Sequence, residues 1–277
     1  MINKILMRLI LATALLFCTV LPVAAHEQAD RIISNLRDIV FQQDLNDNEI
    51  KSYYDDEKSK LNSLELSETE FYYYNSMIEY WLARSYQSFE ETQVVVDHHI
   101  LIQRGKYLKL RAFYTAPEQA IYHYEKSLDY INEYIDLNPD YLAYHQYSEI
   151  QAELILLKPV SYVLAHGLSV KKALKKSIKL NQNYPKALIA DGASDIYTPP
   201  KYGGNQEEGI KVLLNVLSME AVDKEDFFNI YTHVAYGLII LDRHPEAIPW
   251  LEKAEEIYPG NIYLSGLMKI AKEGINP

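Results

Sequence analysis

Small side chains recur at set intervals in segments whose apolar residues follow helical spacing. The last example is "FNIYTHVAYGLIILDRHPEAIPWLEKAEEIYPGN", 34 residues starting at Phe228. Tyr231, Val234, Ala235 and Leu238 fall on one face of a first helix, because positions three and four apart are neighbours on an α-helix. "DRHPE" makes a turn. Ala247, Leu251 and Ala254 then face inward from a second helix, which Pro259 stops. Two antiparallel helices approach closely only where small residues admit the neighbour's ridge, so the pattern confines the chain to helical hairpins.

The pattern repeats upstream. A unit from Gln151 to Tyr184 aligns Val170, Leu174 and Ser177 with Ala247, Leu251 and Ala254. A unit from Pro185 carries Leu188, Asp191 and Gly192 on its first helix, and Gly209, Leu213 and Val216 on a second that begins near Glu207. Gly192 and Gly209 lie 17 positions apart where Ala235 and Ala247 lie 12, so five extra residues sit within Tyr197 to Asn205. Farther back, Ser127, Ile131, Tyr134 and Pro139 repeat the second-helix pattern, and Leu82, Ala83 and Tyr86 look like a first helix. With these offsets the chain resembles the tetratricopeptide repeat (TPR) family, whose unit is about 34 residues of helix–turn–helix. Leu238 and Leu251 stand where that family often has aromatics. The resemblance covers roughly residues 117 to 263 and implies an all-α, right-handed α-solenoid of antiparallel helix pairs.

The remaining elements also read as helix. "IISNLRDIV" places Ile32, Ile33, Leu36, Ile39 and Val40 on one stripe, and Ser67 with Glu70 forms a capping box ahead of a Tyr-rich helix. The β-branched cluster "QVVVDHHILIQ" is also expected as helix. Three regions follow: a signal peptide over 1–25, a divergent helical region over 26–116, and TPR-like repeats over 117–277.

Residues 1–25 read as a leader because Lys4 and Arg8 precede a 13-residue apolar core, Leu9 to Leu21, and small residues stand at Val23 and Ala25. Cleavage after Ala25 places the protein in the periplasm or outside the cell. Phe17 before Cys18 does not suit a lipoprotein signal. Cys18 is the only cysteine, so the mature chain contains none and must rely on packing rather than disulfides. It keeps 25 basic residues against 38 acidic ones, a net charge of −13 that disfavours nucleic acid and anionic lipid as partners. No later apolar run is long enough to span a bilayer.

"KYGGNQEEG" lacks the lysine and hydroxyl that follow the glycines of a phosphate loop, and Glu207 and Glu208 would repel a phosphate. Its structural reading has Pro199 and Pro200 ending a helix, Gly203 and Gly204 supplying positive φ, and Asn205 capping the next helix. His98 and His99 with His123 are the one plausible metal cluster, although adjacent residues on a helix diverge by about 100°. His26, freed by cleavage, could chelate a metal with its own α-amine, but an unstructured terminal residue is the expected state. "HGLSV" and "DGASD" lack the second glycine of a nucleophile elbow. The lysines of "KKALKKSIK" share one face and read as a solvated outer surface.

Tyrosine is abundant, at 24 residues, and suits both packing between repeats and a binding surface. First helices line the concave face of such a solenoid. By the repeat offsets that face holds Tyr162, Lys186, Tyr197, Asn229, Thr232 and Tyr236, and Tyr202 joins them from the inserted turn. The expected function is a periplasmic, non-enzymatic scaffold or adaptor for another protein or peptide, with no cofactor. Compartment, size and the "P…GG" turn also resemble the T component of tripartite periplasmic (TRAP) transporters, which implies a solute-binding protein as partner and a small apolar ligand. Two alternatives stand beside it: an envelope-assembly or chaperone-like factor that grips extended peptides, and a metal-dependent enzyme in the N-terminal half.

Overall fold

The computed structural model describes residues 25–42, 46–86, 116–219 and 222–274. The rest of the leader and the Asp97–His99 cluster lie outside them. The described residues form helices joined by turns, with no strand among them. They are α1 (25–42), α2 (Asp47–Asn62), α3 (Glu68–Ser85), α4 (Pro117–Leu137), α5 (Tyr141–Leu157), α6 (Val160–Leu180), α7 (Pro185–Tyr197), α8 (Gln206–Val216), α9 (Lys224–Ile240), α10 (His244–Ile257) and α11 (Ile262–Glu273). None is long and apolar enough to cross a membrane.

Local signals start these helices. Ser67 and Glu70 satisfy each other's backbone amides at 3.3 and 2.9 Å, the capping box read from the sequence. Asn46 with Glu49 and Asp223 with Asp226 do the same for α2 and α9. Pro117 and Pro185 open α4 and α7, where a missing N–H costs nothing.

The helices pack as four antiparallel pairs, α3 with α4, α5 with α6, α7 with α8 and α9 with α10. Small residues sit where the paired helices meet. Ser76 and Ser127 are fully buried, and each hydroxyl donates to the other's carbonyl, at 3.0 and 2.7 Å. A methyl on Gly209 would lie 2.5 Å from the Gly192 carbonyl, so that crossing admits no side chain. Ala235, Ala247 and Ala254 are fully buried, as their spacing predicts.

One expectation needs correction. The second pair begins with α5 at Tyr141, ten residues before the expected Gln151. Pro159 decides this, because α5 ends at Leu157 ahead of it and α6 opens at Val160 directly after it. Tyr162 therefore belongs to a second helix. Residue 116 lies between α3 and α4, which pack on each other.

The inserted turn is scaffold. Gly203 has a φ of 91°, and Asn205 caps α8 by accepting from the Glu208 amide at 3.2 Å. Gly204 was expected to need positive φ and does not have it. It must be glycine because a Cβ there would fall 1.7 Å from the Thr198 carbonyl oxygen.

Helix α1 joins the two ends of the stack. Near its start, Asp30 accepts from the Tyr74 hydroxyl of α3 at 2.7 Å. Near its end, Arg37 pairs with Glu225 of α9 at 2.6 Å, and Asp38 accepts from Tyr258. Phe41 lies 6.1 Å from Trp81 of the first pair and 5.4 Å from Phe228 of the last, ring centre to ring centre. His26, expected to be unstructured, is helical and lies 3.0 Å from the Tyr74 hydroxyl through Nδ1.

Candidate functional site

The inner faces of α3, α5, α7 and α9, together with α1 and the middle of α6, line a half-open cavity of about 1720 Å³. Helical spacing aims its lining. On α9, Asn229, Thr232, His233 and Tyr236 recur at three- and four-residue steps, and on α5 His145, Gln146, Glu149 and Glu153 do so.

One wall is ionic. Lys186 Nζ lies 2.8 Å from Asp226 and 3.0 Å from Asp223, and 3.7 Å from Glu225, which also pairs with Arg37. Burial lowers the Lys186 pKa, but the three carboxylates outweigh it and leave the pKa raised. This ammonium is fully charged at neutral pH.

The neighbouring wall carries Arg84 bonded to Glu153, with Glu149 beside them. Glu149 differs from the other acids. Its contacts are the Tyr80 hydroxyl at 3.4 Å and His145 Nε2 at 3.9 Å. Burial, then repulsion from Glu153, pushes its pKa up to about 7. Burial and the Lys186 charge hold His145 down at about 3, so that imidazole is neutral and forms no ion pair. Glu149 is enclosed by protein, yet a third of its side chain, 33%, remains accessible because it faces the cavity rather than packing into the core.

The third feature is aromatic. Tyr197 stacks on Tyr236 with ring centres 4.5 Å apart, and its hydroxyl lies 3.1 Å from His233 Nδ1 and 3.1 Å from the Tyr263 hydroxyl. Burial, then Arg84, lowers the His233 pKa to about 4. Two donors, Trp81 Nε1 and Gln146 Nε2, line the cavity and have no protein partner, although their residues are only 6% and 4% exposed.

No protein-family model matches the chain, and no curated relative aligns with it.

The positions singled out in the sequence therefore stand on their geometry. Lys186, Tyr197, Asn229, Thr232 and Tyr236 all line the cavity. The Thr232 hydroxyl is turned onto its own helix, donating to the Phe228 carbonyl at 2.9 Å. Tyr162 is not in the lining; it stacks on His166 and donates to Gln151 at 2.9 Å. Tyr202 lies in a short 3-10 turn, and its side chain is outside the described residues. The sequence lysines Lys171, Lys172, Lys175, Lys176 and Lys179 are exposed, but Lys171 also belongs to the cavity lining and Lys176 donates to the Tyr144 hydroxyl.

His123 of the expected metal cluster bonds through Nδ1 to Glu79 at 2.7 Å, outside the cavity, while His98 and His99 lie beyond the described residues. Among the described residues no three His, Cys, Asp or Glu are placed to hold a metal.

Arg37, Arg84, Trp81, Gln146 and Glu149 were not picked out from the sequence. A signal existed for α5. Its polar residues at helical spacing fall on the face that a first helix turns inward, and charge there has no role in packing.

Proposed function

We propose that this chain is a non-enzymatic binding protein of the cell envelope, a right-handed TPR-like stack that holds a small solute in its inner cavity and works with a partner protein in solute uptake. The placement of α1 carries this reading. An open helical-repeat groove presents its concave face to an extended peptide. Here α1 is strapped from α3 to α9, and the space left is a cavity bounded on several sides, the form that suits a small molecule. Its aromatic, charged and unpartnered polar groups are the mixture such a site uses. The expected leader, the acidic surface and the resemblance to the T component of TRAP transporters favour a periplasmic solute-binding protein as the partner.

Native mass spectrometry of protein released from the envelope without detergent tests the cavity. A small bound mass is expected, and it should be lost in Ala190→Trp, which fills the lining of α7. Cross-linking in the envelope tests the partner. Recovery of unfolded secreted proteins, with no bound small molecule, would overturn this reading in favour of a chaperone-like factor.

A further inference from the structure

We propose that the cavity takes an organic ammonium ion with an apolar body and an oxygen acceptor beside the charge, anchored at Glu149 and met by the N–H groups of Trp81 and Gln146. This deepens the cavity reading above and depends on it.

The charge balance of the walls is the first reason. Seven acidic residues line the cavity against four basic ones, so an anion entering it meets net repulsion. The excess is not spread evenly. Lys186 and Arg37 neutralise Asp223, Glu225 and Asp226, and Arg84 is bonded to Glu153. Three lining carboxylates, Asp30, Asp191 and Glu149, have no lysine or arginine among the described residues in ion-pair range. The Asp30 side chain is 61% exposed and already accepts from Tyr74, whereas that of Glu149 is 33% exposed and its contacts are a phenol and a neutral imidazole. An enclosed carboxylate without a cation is unfavourable, and a ligand cation relieves it.

Aromatic rings supply the second reason. Tyr80 and Trp81 stand beside one another, ring centres 5.2 Å apart, and Tyr80 contacts Glu149. A carboxylate with an electron-rich ring beside it is a favourable seat for an ammonium group. The third reason is independent of charge. Trp81 Nε1 and Gln146 Nε2 are buried donors with no acceptor, and a buried donor normally has one. A hydroxyl or carbonyl oxygen next to the ammonium supplies it. The stacked Tyr197 and Tyr236 rings give the apolar body a surface to lie on.

Three probes of matched shape test this: 2-amino-1-decanol (cationic), 1,2-decanediol (neutral) and 2-hydroxydecanoate (anionic), titrated at pH 8 by calorimetry. Fluorescence gives a second readout, because Trp81 lines the cavity and the other tryptophan, Trp250, does not. The amino alcohol is expected to bind at least about tenfold more tightly than either of the others, the gain of one charge-assisted contact. Glu149→Gln, with its folding checked by the unfolding midpoint, should bind the amino alcohol no better than the diol. Equal binding of all three probes, or a preference for the anion, overturns the ligand class while the cavity reading survives. Selectivity that persists in Glu149→Gln overturns the anchor. If no probe binds, the cavity reading fails and takes this inference with it.

Discussion

The Tyr258 hydroxyl donates to Asp38 at 2.5 Å, a bond between residues 220 positions apart that ties α1 to the end of α10. Phe41 stacks on the same tyrosine with ring centres 5.3 Å apart, and Asn261 bonds to the Phe41 carbonyl at 2.7 Å. If α1 is an integral strap, loosening it must destabilise the whole molecule. Phe41→Ala should cost about 3–5 kcal/mol and Tyr258→Phe about 1–2 kcal/mol in chemical denaturation. A midpoint unchanged in Phe41→Ala would mean that α1 is not part of the folded unit.

Gly209→Ala tests the closest helix crossing. The new methyl would sit 2.5 Å from a backbone oxygen that cannot rotate away. Overpacking costs about 1–3 kcal/mol, against a gain of about 1 kcal/mol in helix propensity, so the variant should lose up to about 2 kcal/mol. A higher melting temperature than the parent would show that α7 and α8 do not pack this closely.

Glu79 should make the first pair sensitive to acid. It is fully buried, is bonded to Lys58 and His123, and lies 3.2 Å from Lys126. Burial opposes its charge, but the His123 and Lys58 bonds prevail and hold its pKa at about 2, below its ordinary 4.5. A depressed carboxylate pKa contributes stability that is present above pH 4.5 and is lost as the pH falls toward 2. Glu79→Gln should therefore cost about 3 kcal/mol at pH 7, a difference that narrows steadily below pH 4.5. A constant difference from pH 7 to pH 3 would contradict the assignment.

Glu149 has the opposite sign. Its pKa, raised from 4.5 to about 7, means that the folded state binds its proton more tightly than the unfolded chain does. The charged form costs stability above pH 7, and that cost disappears as the pH falls to 4.5. Discounted for its access to water in the cavity, Glu149→Gln should stabilise the protein by about 1–2 kcal/mol at pH 8 and by nothing at pH 4. Thermal melts at the two pH values check this, and destabilisation at pH 8 would show that a partner holds the carboxylate.

Much of the architecture was legible in the chain because it depends on short-range rules. Ser67 with Glu70 is a capping box wherever it falls, Pro185 opens a helix, and Ala235, Ala247 and Ala254 at fixed steps can only face a neighbour. The same rules placed Lys186, Tyr197, Asn229 and Tyr236 on inward faces. They failed at Tyr162, where a repeat register was carried across Pro159, a local break that outweighs periodicity.

What the sequence determined by itself is the set of helical hairpins, since hydrogen bonds, caps and small-residue steps act within about 34 residues. Only the tertiary structure decided that α1 folds back onto α9 and α10, and that the concave face is consequently a cavity. The pairing of Arg37 with Glu225 and the isolation of Glu149 depend on distances between helices far apart in the chain. No spacing rule encodes those distances, because they are set by how the pairs stack.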